Sequence, residues 1–223
     1  MKTVRLQGSS EPITVGKVLC IGQNYPAHAK EMHSAPPSDP VFFLKPSTAL
    51  LASGGEIVLP SISKEVHHEV EMVVLIGRGG KAIPAGEALA HVAGYGIGLD
   101  MTMRDVQSEA KKAGRPWTLA KGFDTSAPLS DFVPADRVPD PHALEVRLAV
   151  NGTVRQSSPT SVVTFRVETL ITYLSGFITL ERGDVIYTGT PEGVAAVKSG
   201  DRLEAFLLSP PSAVLASLQV SVH

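Results

Sequence analysis

HHEVEMVVLIG, residues 67 to 77, is the stretch on which the fold turns. It is short, rich in branched aliphatic residues and closed by Gly77, Gly79 and Gly80, which is the pattern of a β-strand. Side chains alternate along a strand. His67, Glu69, Glu71, Val73 and Leu75 therefore share one face, and His68, Val70, Met72, Val74 and Ile76 the other. Both faces turn apolar after Glu71, so the strand enters the interior at its two glutamates. A buried carboxylate without a partner costs several kcal/mol or takes up a proton. Two residues apart in a strand, the Cα atoms of Glu69 and Glu71 lie about 6.5 Å apart on one face, close enough for both side chains to reach one ion. The competing reading of any such pair is solvation, or pairing with Lys or Arg at a sheet edge.

Working outward, strands are expected at Lys17 to Gly22, Val41 to Leu44, Gly94 to Asp100 and Asp184 to Tyr187. Asn24 to Met32 has modest helical character and is stopped by Ala35-Pro36-Pro37. Met103 to Ala113 reads as a helix, capped by Thr102 and ended by Gly114. Asn151-Gly152, between Leu144 to Val150 and Thr153 to Gln156, is a favoured two-residue hairpin turn. Leu170, Ile171, Leu174 and Phe177 predict a core-facing helix over Val167 to Phe177. The C-terminus reads as another hairpin. Many short strands with two or three helices give an α+β fold, predominantly β.

The chain has 223 residues, enough for one domain with a substantial core. A net charge of −2 argues against a nucleic-acid or anionic-membrane partner. MKTVRLQGSS lacks an apolar signal core, and no apolar run approaches a membrane span. Cys20 stands alone, which fits a reducing, cytoplasmic setting.

A third acid, Asp100, ends the stretch GYGIGLD. Three carboxylates without nearby cysteine make a hard, all-oxygen set suited to Mg2+, Mn2+ or Ca2+ rather than Zn2+. His67 and His68 remain possible nitrogen ligands, although His68 points away from the glutamates.

HHEVE, GYGIGLDMTMRDVQ, PWTLAKGFD and YTGTPEGV occur in this order, and together they resemble the fumarylacetoacetate hydrolase superfamily. The resemblance runs from about Val18 to Gly200 and is nearest to the short, single-domain acylpyruvate hydrolases and oxaloacetate decarboxylases. It implies one catalytic domain over residues 1–223, built like that family's C-terminal domain as a mixed β-sandwich or roll. A mobile N-terminal lid is expected at about residues 24–37. Glu69, Glu71 and Asp100 would hold Mg2+ or Mn2+, with Ca2+ possible. His28 and Glu31, three apart in NYPAHAKEM, would form a general-base dyad on the lid. Lys121 would stabilise developing negative charge. Arg104, Gln107 and Thr190 would contact substrate. Lys45 fits the family pattern with no role assigned, and Asp105, Glu109, Lys111 and Lys112 read as solvated helix polars.

The activity implied is metal-dependent hydrolysis of a C–C bond in acylpyruvates, such as fumarylpyruvate or acetylpyruvate, to pyruvate and a carboxylic acid. The same site would serve oxaloacetate decarboxylation or keto–enol tautomerisation, and the motifs leave all three open. Hydrolysis stands first here because the dyad supplies what water activation needs. A silent metal-binding domain is disfavoured by the intact set of polar residues, and a serine hydrolase by the lack of G-x-S-x-G. The partner is a small α-keto acid, and a homodimer is implied by the resemblance. Fumarylacetoacetate hydrolase proper carries an extra N-terminal domain, so that enzyme itself is not expected. The double proline near the C-terminus departs from the family's hairpin.

Overall fold

The computed structural model describes residues 2–32, 35 and 37–223. His33, Ser34 and Pro36, which fall in the expected lid, and with Pro36 the expected helix stop, lie outside the described residues. Two sheets dominate. The larger runs, in spatial order, through Val41–Lys45, Val18–Gly22, Val185–Tyr187, Val70–Ile76, Val92–Leu99, Ala127–Leu129 and Leu50–Ala52. Val133–Pro134 joins it by pairing with Val92–Leu99. The second has five strands, Thr153–Pro159, Glu145–Val150, Arg202–Ser209, Ala213–Val222 and Glu56–Ile57. The larger sheet is mixed, since Val185–Tyr187 runs parallel to Val18–Gly22 and antiparallel to Val70–Ile76.

Val70–Ile76 is buried at every residue, as its two apolar faces require. Val70, Met72, Val74 and Ile76 pack into a core shared with Val146, Leu148, Leu203 and Leu207 of the five-stranded sheet and Leu170, Ile171 and Leu174 of the helix Val167–Phe177. Val73 and Leu75 face a second core with Val18, Cys20 and Tyr187. The expected single strand is in fact two. Val66–His68 pairs with Thr102–Met103 and Ala195–Ala196 in a small separate sheet, and the chain changes sheets at Glu69.

Other expectations need correction. Thr102 does not cap the helix Arg104–Lys112; Met103 is the N-cap, and Thr102 Oγ1 donates to the Asp100 carbonyl at 3.1 Å. The helix does end before Gly114, whose φ of +62° suits glycine. Phe177 is not in the core: it is 66% exposed at the helix end and makes an edge contact with Tyr173. The Asn151-Gly152 turn forms as expected, with φ of +52° and +77°. Two short helices, Pro26–Glu31 and Thr118–Lys121, carry His28 and Lys121.

Candidate active site

Antiparallel register assembles the acids. Glu71 lies opposite Gly98 and Val70 opposite Leu99, so one step further Asp100 falls beside Glu69, where the Asp100 N–H donates to the Glu69 carbonyl at 2.8 Å. Glu69, Glu71 and Asp100 are all buried, and one carboxylate oxygen from each lies within 4.8 Å of the others. Among the described residues this is the one such grouping. Neither histidine joins it. His68 turns away to hydrogen-bond the Gln156 side chain at 2.9 Å. Burial, reinforced by the Arg104 charge, lowers His67 to about 4.

Three buried cations face the three acids. Lys121 Nζ bridges Glu69 Oε2 at 2.7 Å and Asp100 Oδ2 at 2.8 Å. Lys45 Nζ lies 2.8 Å from Asp100 Oδ1, and the Arg104 guanidinium pairs with Glu69. Among the described residues Glu71 has no cation in contact. One of its oxygens accepts the Gly189 N–H at 2.6 Å. Gly189 has a φ of +96°, and a Cβ there would sit 2.6 Å from Asn24 Cβ, so this close approach needs glycine.

The titration behaviour follows. Burial works against the Glu69 charge, but Lys121 and Arg104 outweigh it and hold this carboxyl well below its usual range. For Glu71, burial and then the charges of Asp100 and Glu69 push the carboxyl well above its usual range. Lys121 is desolvated too, yet Asp100 and Glu69 raise its pKa. A buried oxygen cluster in which one acid cannot keep its charge unaided fits a hard divalent cation. Glu69, Glu71 and Asp100 are the residues that would hold it.

His28 is buried beside this cluster, with Nδ1 3.1 Å from Glu31 Oε2, so the two side chains meet as their spacing predicts. Glu31 Oε1 also accepts the Gly193 N–H at 3.1 Å. The segment expected to be a lid is anchored at fully buried Asn24, whose side chain bonds the Thr188 carbonyl and both the N–H and the C=O of Phe165. His28, Glu69, Glu71, Arg104, Gln107, Lys121 and Thr190 line one cavity of about 30 Å³. Arg104 donates to Gln107 Oε1 at 2.7 Å, so these two act as a pair.

Sequence reasoning missed several neighbours. Gln23, Met32, Phe43 and Trp117 also line the cavity. So does Lys111, which stays exposed as expected while its ammonium lies 5.1 Å from the centre of the Trp117 ring. Its spacing from Arg104 and Gln107, on one helical face, was the available signal. Lys45 has a definite place: it donates to the Lys121, Met101 and Ser126 carbonyls while meeting Asp100, and so fixes both ends of the charged cluster. Lys45→Met leaves Asp100 Oδ1 and three carbonyls without their buried cation while Lys121 keeps Asp100 Oδ2, and should cost about 1–3 kcal/mol of stability, the range for a buried polar group left unsatisfied. Denaturant unfolding measures this, and an unchanged midpoint would show that Lys45 does not support the fold.

A buried carboxylate triad suited to a divalent cation lies beside a paired histidine and glutamate, in a predominantly β fold. The chain belongs to the fumarylacetoacetate hydrolase family, matching the model for the fumarylacetoacetate (FAA) hydrolase C-terminal domain over residues 17–220. The rat mitochondrial oxaloacetate tautomerase FAHD1 is 53% identical over 188 residues, covering 84% of this chain and 85% of that protein. The Arabidopsis thaliana protein of the same name is 47% identical over 189 residues, covering 85% of each. Among solved structures, fumarylpyruvate hydrolase from Pseudomonas aeruginosa, in complex with Mn2+ and pyruvate, superposes with a TM-score of 0.92 at 40% identity, covering 99% of this chain and 95% of that one.

Proposed function

We propose that the protein interconverts the keto and enol forms of oxaloacetate with Mg2+ or Mn2+ bound by Glu69, Glu71 and Asp100. The observation that carries this reading is His28, backed by Glu31, lining one small cavity with Glu69 and Glu71 of the acidic cluster, in a chain half identical to proteins named oxaloacetate tautomerase. Tautomerisation needs a proton removed from C3 of a 2-keto acid and returned, with negative charge building on the C2 oxygen. A divalent ion, when bound, would supply Lewis-acid stabilisation of that charge. His28 is the group that moves the proton. Glu31 occupies its Nδ1, which leaves Nε2 for the substrate and favours the protonated ring as it forms. Arg104, held by Gln107, and the Thr190 hydroxyl bind the substrate carboxylate. Lys121 adds positive charge beside the reacting oxygen. The three acids are met by Lys45, Arg104 and Lys121, and Lys111 lines the same cavity, so a bound divalent ion would leave the site net positive and suited to a dicarboxylate.

Hydrolysis of acylpyruvates is the second reading. The same His28 can activate a water molecule, and the fumarylpyruvate hydrolase likeness favours it. Decarboxylation of oxaloacetate uses the same charge stabilisation but no base. Loss of enol absorbance from oxaloacetate, pyruvate release from acetylpyruvate and fumarylpyruvate, and CO2 release from oxaloacetate would be followed in parallel. The tautomerase rate should fall to background after chelation and return with Mn2+. Tautomerisation that ignores chelation, or that is slower than acylpyruvate cleavage, would overturn the ranking. A homodimer belongs to this reading and is checked by light scattering.

A further inference from the structure

Gln156 lies far in sequence from the active-site motifs. Gln156 sits in Thr153–Pro159, an edge strand of the five-stranded sheet, yet it is 1% exposed and reaches across to the active site. Its side chain fills the gap where the chain changes sheets at Glu69. Val185–Tyr187 pairs with Val70–Ile76 only at Val73, Val74 and Leu75. The Thr188 N–H still reaches the Met72 carbonyl at 3.1 Å, and past that point side chains satisfy the backbone: the Gly189 N–H goes to Glu71, and the Val70 N–H goes to Gln156 Oε1 at 3.1 Å.

These contacts fix the direction of every bond in the chain. A backbone N–H can only donate and a carbonyl can only accept. The Val70 N–H therefore assigns Oε1 of Gln156, and the Pro191 carbonyl, 2.9 Å from the other end, assigns Nε2. His68 Nδ1, 2.9 Å from Oε1, must then carry its hydrogen. Nε2 must also donate to Thr190 Oγ1, again at 2.9 Å. A threonine hydroxyl has one hydrogen, and this bond does not use it. Thr190 lines the cavity with the acids and His28.

We infer that Gln156 is a positioning residue that sets the Thr190 hydroxyl as a hydrogen-bond donor into the cavity, where it meets an oxygen of the 2-keto acid. The inference rests on the proposed 2-keto acid site but is independent of which reaction follows. The polarity of Gln156 matters more than its size. Gln156→Glu keeps the acceptor for Val70 and His68 but offers no N–H to Thr190. The Thr190 hydroxyl then turns to donate to the new carboxylate and is lost to the substrate.

The test is a double-mutant cycle read as the dissociation constant of pyruvate on Mn2+-loaded protein, by isothermal titration calorimetry. Thr190→Val should weaken pyruvate binding about tenfold or more, the range for a hydrogen bond to a charged group. Gln156→Glu should weaken it comparably. The double variant should be no weaker than the Thr190→Val protein to within about twofold, because residues acting through one contact do not add. Thr190→Ser should bind nearly as wild type, and the Mn2+ affinity of all variants should be unchanged. Should Gln156→Glu prove too unstable to titrate, Gln156→Asn withdraws the amide by one methylene and takes its place with the same expectation. Independent effects that multiply to about a hundredfold would mean a general structural role. Wild-type affinity in the Gln156 variant would likewise overturn the inference. A wild-type protein that binds no pyruvate with Mn2+ present would instead sink the reading of the site, and this inference with it.

Discussion

Glu71→Gln protein is expected to bind Mn2+ at least about a hundredfold more weakly than wild type, more than the loss usually seen for an outer-shell partner. Oxaloacetate tautomerisation should fall by about a thousandfold, because the Lewis-acid contribution of several kcal/mol goes with the ion. The metal-free variant should nonetheless melt close to wild type. Burial and the neighbouring Asp100 and Glu69 charges push Glu71 well above its ordinary range, so without metal it keeps its proton, and the neutral amide resembles that state. The amide oxygen can still accept the Gly189 N–H. The sign of the pH effect follows. With its pKa raised by folding, Glu71 binds a proton more tightly in the native state than in the unfolded chain. Metal-free stability should therefore fall as pH rises from the ordinary glutamate value of 4.5 through the raised value. Mn2+ binding should release a proton over the same window and tighten as pH rises. Titration calorimetry in buffers of different ionisation enthalpy measures that proton. Tight Mn2+ binding by the variant would remove Glu71 from the ligand set.

His28→Ala should have the opposite signature. Its kcat should drop by about 10²- to 10⁴-fold, the range for loss of a general acid–base group, with Mn2+ affinity within about twofold of wild type. Glu31→Gln should lose less, since His28 stays and only its orientation and basicity suffer. That variant also weakens the link from the helix Pro26–Glu31 to Gly193, so KM should rise along with the fall in kcat. Steady-state kinetics at saturating Mn2+ separate the two parameters. If both variants turn over oxaloacetate like wild type, enolisation proceeds without this dyad and the proposed mechanism fails.

Some of this was readable before any coordinates. The strand entering the core at Glu69 and Glu71, the helix Val167–Phe177 and the Asn151-Gly152 turn all follow from local pattern, because alternation, helical period and turn preference act over a few neighbours. Short-range reading failed where the decision was long-range. The chain switches sheets at Glu69 because Thr102–Met103 and Ala195–Ala196 pair with Val66–His68, and no feature of HHEVE announces that. Phe177 fits the helical period but falls at a helix end that the core does not reach.

The sequence by itself determined which residue types were on hand: three acids in an apolar setting, a His–Glu pair three apart, and a run of motifs in a fixed order. Only the tertiary structure decided who meets whom. Asp100 reaches Glu69 through strand register, and Lys45 and Lys121 reach Asp100 from two other segments. Gln156 reaches Thr190 from another sheet. The physical reason is that a buried charge or amide must find its complement wherever packing brings one within about 3 Å. Sheet pairing, not chain distance, controls which groups come that close.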